Sequence, residues 1–357
     1  MKLVDLGWNS FFENHFDHYR NENYSALRII RENREKYIAY GELGEFICEV
    51  SGKYRFDSRN KAQFPTVGDW AVCSIRQEEK KATIHALLPR RTVFSRKVAG
   101  QITDEQVVAA NIDIVFIVTG LDLNYNLRRI ERFLALTWNS GATPVILLNK
   151  SDICPEIETR KTEVESIAFG VEIHTISATQ NIGLEVFNKY IIPGITVAFI
   201  GSSGVGKSTI INSLLGTNKL EVNEVSESGS RGRHTTTFRE LLVFQNGGIV
   251  IDTPGMRELQ VWGDEDGLNH AFDDIKDYSS NCRFSDCSHE NEPGCAVLEA
   301  IEKGVLDPGR LENYHKLKKE FSYLATRQMM KPNAAEKIRG KAISKLIKNY
   351  YKDFKDK

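Results

Sequence analysis

Apolar positions along the 357 residues follow four different rhythms. Residues 1–33 carry Leu3, Leu6, Phe11, Phe12, Phe16 and Tyr19 at loosely helical spacing, which predicts a stripe that docks on the rest of the chain. From 36 to 89 the pattern shortens to β-rich runs at 37–40, 45–50, 69–75 and 82–88. Gly41, Gly44, Gly52 and Gly68 punctuate them, as in a small barrel. The stretch 89–97, PRRTVFSRK, reads as a basic linker. Between 112 and 253 apolar runs at 112–119, 145–148, 171–176 and 195–200 alternate with helical stretches near 128–139, 156–169 and 183–190. Alternation of this kind predicts a mainly parallel sheet covered on both faces. After Trp262 come an acidic stretch, a cysteine cluster and two helical stretches rich in lysine, and no internal repeat is visible.

The expected fold is therefore multidomain α/β. An extension spans 1–33, a barrel with its basic linker 34–97, a domain built on the parallel sheet 98–262, and a cysteine-bearing module with a basic helical tail 263–357. No apolar run approaches the roughly 18 residues that a membrane span needs. Asp5, Glu13, Asp17 and Arg20 interrupt the N-terminal stripe, so it does not read as a secretory signal, and a cytoplasmic location is expected.

Chemistry enters at the ends of the predicted strands. Gly201-Ser202-Ser203-Gly204-Val205-Gly206-Lys207-Ser208, with Thr209 next, follows an apolar run and opens a helical pattern, the strand-loop-helix context of a phosphate loop. Gly204 and Gly206 let the backbone wrap around phosphates, consecutive N–H groups point inward, and the helix dipole favours the negative charge. Lys207 would reach the β- and γ-phosphates and Ser208 would ligate Mg²⁺. Asp252, at the end of the run 248–251, and Gly255 in the same DTPG string stand where an Mg²⁺-linked carboxylate and a γ-phosphate-sensing N–H belong.

Asn149-Lys150-Ser151-Asp152 lies at another strand's carboxyl end, where open α/β sheets bind ligands. The Asp152 carboxylate can accept from both N1–H and the exocyclic amine of guanine, a pair that adenine does not present. Lys150 can lay its stem along the ring, and Ser177-Ala178 after the run 171–176 would offer a backbone N–H to guanine O6. Singly these strings are ordinary loops; three of them at three strand ends are not. They resemble the motifs of translation-factor-like GTPases in rotated order, with base recognition preceding the phosphate loop, as in a circularly permuted GTPase. Rotation is tolerable because a pocket depends on which loops meet, not on the order in which the chain visits them.

Cys282, Cys287, His289 and Cys295 supply three thiolates and an imidazole within fourteen residues, the donor set of a closed tetrahedral zinc site. Cys48, Cys73 and Cys154 are scattered in apolar surroundings, so disulfides are not implied. The net charge of -1 conceals a division: residues 303–357 hold 15 Lys and Arg against 6 Asp and Glu. A basic tail on an acidic body is a footprint for a polyanion, though solvated lysines on a helix look the same.

Barrel, permuted GTPase, Cys-Cys-His-Cys cluster and basic tail together resemble the ribosome small-subunit-dependent GTPase A family over about 35–350, on the strings GSSGVGKS, NKSD, DTPG, GRHTT and CxxxxCxHxxxxxC. That resemblance implies an oligonucleotide-binding barrel, hydrolysis of GTP to GDP, one structural Zn²⁺ and Mg²⁺ with the nucleotide. It also implies a role late in maturation of the 30S subunit, with the chain, a monomer, contacting 16S rRNA and stimulated by the 30S particle. Thr235 or Thr236 of the expected switch loop would close on Mg²⁺ and γ-phosphate, with Thr236 preferred. Met256 stands where many GTPases carry a water-orienting glutamine, so His234 becomes the nearest candidate for that task, with contact to rRNA or simple packing as the alternative for this lone histidine. Because the chain leaves Gly255 directly towards the cysteine cluster, GTP is expected to strengthen 30S binding relative to GDP. Two other readings are an RNA-binding scaffold with negligible hydrolysis and a tRNA-modifying or membrane-associated GTPase; the last lacks a hydrophobic anchor and a C-terminal cysteine.

Overall fold

The computed structural model describes residues 2–33, 36–58, 60–97, 105–216, 239–244, 247–252 and 265–329. The N-terminal stripe forms a short helix, α1 (Ser10–Phe16), flanked by 3-10 turns rather than one long helix. Asn9 caps it by accepting from the Phe11 N–H, and Phe12 and Phe16 turn inward. They close over Trp70, whose ring Trp8 meets edge-on at 4.7 Å between centroids.

Strands β1 (Ser25–Asn33), β2 (Lys36–Gly41), β3 (Gly44–Val50), β4 (Trp70–Arg76) and β5 (Lys81–Leu87) form the barrel, with α2 (Gly52–Asp57) between β3 and β4. The pairing runs β1-β2-β3-β5-β4 and closes from β4 back to β1, with β3 and β5 parallel and all other pairs antiparallel. This is the closed five-stranded Greek-key barrel of the oligonucleotide-binding fold. Leu27, Ile29, Phe46, Cys48, Ala71, Cys73 and Ile84 fill it.

Two expectations are corrected here. The barrel begins at Ser25, inside the segment assigned to an extension. The strand Ser-Ala-Leu-Arg-Ile-Ile-Arg-Glu-Asn shows no clean alternation because both of its faces are covered near Arg28. That guanidinium, 1% exposed, donates to the carbonyls of Leu6 and Asn111 and to the Thr196 hydroxyl. Burial pulls its pKa down to about 10, against the opposing pull of Asp113 and Asp69. Nor is 89–97 a free linker: β6 (Val93–Lys97) pairs with β7 (Glu105–Ala110), and Arg90 is clamped on the buried Asp69 at 2.7 and 2.8 Å. Its charge is spent inside the fold.

The second sheet comprises β8 (Ile114–Gly120), β9 (Thr143–Asn149), β10 (Glu172–Thr175), β11 (Thr196–Ile200), β12 (Arg239–Val243) and β13 (Ile249–Asp252). Its order is β10-β9-β8-β11-β13-β12, parallel apart from β12, as expected of a doubly covered sheet. One face carries α3 (Leu127–Ser140) and α4 (Ile157–Glu165); the other carries α5 (Phe187–Tyr190) and α6 (Lys207–Leu215). β12 also pairs with β1 through Arg31–Glu240 and Glu32–Arg239, so barrel and parallel sheet are hydrogen-bonded edge to edge.

The C-terminal helices α7 (Glu265–Ala271), α8 (Asp273–Ser279), α9 (Ala296–Glu302) and α10 (Pro308–Met329) follow. Leu268, Phe272, Val297, Leu317 and Phe321 join the same core as Ile130 and Leu134 of α3. The module is therefore packed onto the parallel-sheet domain rather than tethered beside it. Among the described residues no helix is long and apolar enough to cross a membrane.

Candidate nucleotide site and metal centre

The carboxyl ends of β8, β9, β10 and β11 bring the sequence-predicted loops to one edge of the sheet. Gly201 follows β11 at φ +146°, and a Cβ there would strike the Val118 carbonyl of the neighbouring β8. Gly204 and Gly206 are left-handed, at φ +77° and +98°. The loop thus needs glycine for its backbone path, and it delivers the chain into α6 with Ser208 and Thr209 in the first turn. Lys207 is buried at 7% exposure, and its Nζ donates to the carbonyls of Gly201 at 2.8 Å and Ser202 at 2.5 Å. The ammonium is curled over the loop. Val205 is buried beneath it, while Ser203 faces solvent.

Asn149 is the hinge of the site. Its Nδ2 donates to the Val205 carbonyl at 2.8 Å and its Oδ1 accepts from the Ala178 N–H at 3.0 Å. One buried side chain therefore ties the phosphate loop to the Ser177-Ala178 turn, segments more than twenty residues apart in sequence. Ser177 donates from Oγ to Asp152 at 2.5 Å, and the Ser151 N–H donates to the Ile176 carbonyl at 3.1 Å. Asp152 is thereby oriented by the neighbouring loop.

Two participants escaped the sequence reading. Asp122, two residues beyond β8, accepts from Lys150 Nζ at 2.6 Å and from the Asn124 N–H at 2.9 Å. Burial alone would raise its carboxyl, but Lys150 and Asn124 outweigh burial and hold it below the ordinary aspartate value. The other is Arg129, which donates to the Ser202 hydroxyl at 3.1 Å. Asp122 had a legible signal, an acid just past a strand's carboxyl end; Arg129 had none.

Asp252 ends β13, paired through its backbone with Glu240. Gly255, His234, Thr235, Thr236 and Met256 lie outside the described residues, as does 330–357 of the basic tail.

Cys282, Cys287, His289 and Cys295 converge in the C-terminal module, with their donor atoms all within 4.8 Å of one another. Cys282 Sγ lies 3.9 Å from Cys295 Sγ and 3.7 Å from His289 Nδ1, and the latter is 3.4 Å from Cys295 Sγ. Tetrahedral Zn²⁺ with bonds of about 2.0 to 2.3 Å requires donor separations of about 3.5 to 3.8 Å, close to these three distances. His289 adopts φ +60° to present Nδ1. Burial raises the Cys282 thiol, but the N–H groups of Val297 and Ala296 opening α9 bring it below the ordinary value. Cys287 is pushed up to about 11, by burial first and then by the neighbouring thiols. The donors suit one zinc ion, whose charge would relieve that crowding.

Residues 87–262 match the family model described as RsgA GTPase. The protein of Opitutus terrae named small ribosomal subunit biogenesis GTPase RsgA is 42% identical, covering 96% of each chain. Its namesake in Syntrophotalea carbinolica is 41% identical with both chains covered in full. YjeQ of Thermotoga maritima superimposes with a TM-score of 0.63 at 29% identity, covering 83% of this chain and 98% of its own. The solved YloQ, described as a circularly permuted GTPase, shares the fold at a TM-score of 0.60 and 22% identity, over 85% of this chain and 97% of its own. Identity above 40% along essentially the whole length, on a fold with the NKSD and Ser177-Ala178 loops ahead of the GSSGVGKS loop, means that this chain belongs to the RsgA GTPase family.

Proposed function

We propose that the chain binds GTP at the sheet edge, hydrolyses it to GDP and phosphate, and acts in late maturation of the 30S subunit, contacting 16S rRNA. The observation that carries the nucleotide reading is Asn149, which locks a base-reading loop to a phosphate loop. In this reading Asp152 recognises the guanine N1–H and amine, Ala178 offers its N–H to O6, and Lys150, steadied by Asp122, covers the ring. Backbone N–H groups of 202–208 cradle the phosphates, and Lys207 uncurls from the Gly201 and Ser202 carbonyls to meet them.

Mg²⁺ bound with the nucleotide would be held by Ser208, Asp252 and Thr236 and would neutralise charge on the phosphate oxygens. The protein's own work is positioning, since phosphoryl transfer asks mainly for alignment and electrostatic stabilisation. His234 is assigned to orienting the attacking water once the 30S particle orders its loop.

The names of the relatives support the ribosomal role, and the barrel supports RNA contact. The four-donor cluster, with no position left for water, serves as a structural Zn²⁺ site. The unit is a monomer of the cytoplasm, where its partner particle resides. Calorimetry of Asp152→Asn tests the base pocket: GTP affinity should fall and xanthosine triphosphate affinity rise, because the substitution exchanges an acceptor for a donor. Unchanged GTP binding would remove Asp152 from the site.

A further inference from the structure

Beside the phosphate loop stands a second cation that none of the motifs calls for. Arg129 lies in the first turn of α3, where the helix dipole disfavours positive charge, and Arg128 precedes it there. Two arginines at that end must be held by something stronger than the dipole. Arg129 Nη1 donates to the Ser202 hydroxyl at 3.1 Å and to the Asn124 carbonyl at 3.2 Å. Ser202 is consequently gripped from two sides, since its carbonyl receives Lys207 Nζ at 2.5 Å. Whatever displaces Arg129 therefore displaces a residue of the loop whose backbone is to cradle the phosphates.

The other half of that turn belongs to the C-terminal module. Glu131, fully buried, accepts from Arg128 at 2.8 Å, from Arg310 at 2.9 Å and from Asn313 at 2.6 Å. Arg310, with 3% of its side chain exposed, also donates to Asp274 at 2.5 and 2.8 Å and to the Ala271 carbonyl at 2.9 Å. Arg128 reaches on to Asp307. One ionic cluster thus joins α3 to α8, to the end of α7 and to α10. A buried cluster of this kind contributes little net stability compared with apolar packing of the same volume, but removing one member strands a charge, so it enforces one geometry.

We propose that Arg129 is a positioning residue for GTP hydrolysis, held in register by the Glu131–Arg310 cluster, so that α3 couples the C-terminal module to the phosphate loop. The proposal rests on the GTPase reading above and adds a route to the site that does not pass through the DTPG loop.

Single-turnover GTP hydrolysis and fluorescent-GDP affinity of the full-length, zinc-loaded protein test it. Arg129→Ala should slow hydrolysis about tenfold, the worth of one charge-assisted hydrogen bond, while GDP affinity stays within about threefold. Arg129→Lys should recover little, because an ammonium does not reproduce the planar fork. Arg310→Met should slow the wild type about threefold yet leave the Arg129→Ala protein unaffected, the mark of a shared pathway. Asn313→Ala, which removes a more accessible partner of Glu131, serves the same comparison if Arg310→Met does not fold. Wild-type hydrolysis by Arg129→Ala overturns the proposal, as does an Arg310 or Asn313 variant that slows both backgrounds equally. Lys207→Ala separates the two readings. If that variant binds GDP as well as wild type, the nucleotide site itself is misassigned; if it loses GDP while Arg129→Ala is unimpaired, only the role of Arg129 falls.

Discussion

Replacing Asn149 by alanine removes both the donor to the Val205 carbonyl and the acceptor for the Ala178 N–H from a side chain only 2% exposed. Each orphaned buried backbone group costs about 1 to 3 kcal/mol, or about 2 to 6 kcal/mol for the pair when no water reaches them. Water entering the space of the lost amide offsets about half of this, leaving roughly 1 to 3 kcal/mol. The penalty falls on loops that the nucleotide must reassemble, while Leu147, Leu148 and Ile200 keep the strands beneath them packed. At about 1.4 kcal/mol per decade, GDP and GTP affinity should drop by about 5- to 140-fold. The melting temperature of the nucleotide-free protein should move by only a few degrees. Isothermal titration calorimetry with GDP, beside a thermal melt without it, gives both quantities. Gly206→Ala attacks the same junction from the other side, since its Cβ would run into Asn149 Nδ2 at φ +98°, and should weaken GDP similarly. A loss of less than threefold in Asn149→Ala would show that the two loops are held by other contacts and that the side chain is not the hinge.

Chelation of the metal should melt the region after about Cys282 while GDP binding persists, followed by hydrogen exchange; freshly purified protein devoid of zinc by elemental analysis would contradict the site. His234→Ala should keep GTP and 30S binding but lose about 10² of the 30S-stimulated rate, and a mutant with the wild-type stimulated rate would transfer water orientation to a group of the particle. The Asp122–Lys150 pair has a definite pH signature. Because the folded carboxyl is held below the ordinary aspartate value of about 3.9, its stabilisation is present above that value and disappears as pH falls through the lower folded value. The gap in melting temperature between wild type and Asp122→Asn should therefore stay level from pH 7 to about 4 and close only below it.

Sequence alone located the loops of the candidate site, because the GSSGVGKS, NKSD and Ser177-Ala178 loops and the four candidate metal donors are short strings that depend on local backbone conformation and fixed spacing. Glycine at 201, 204 and 206 is demanded by φ angles that a linear string can express. The rotated order of the motifs was equally legible, since order is a property of the chain. Tertiary structure decided what distant segments do to one another. Arg28 looks like a surface residue in its strand, and only the packing of the barrel against β11 and the segment at Asn111 buries it and extends the barrel to Ser25. The basic residues at 90 and 91 read as part of a basic linker until Asp69 and Asp113 are seen to pair with them. Glu131 and Arg310 are 179 residues apart, and Arg129 and Ser202 are 73 apart. Hydrophobic periodicity reports which side of an element is covered but not by which other element. Pairings of that range leave no trace in any local window, and they are made only when the folded core brings α3, α10 and the phosphate loop to one place.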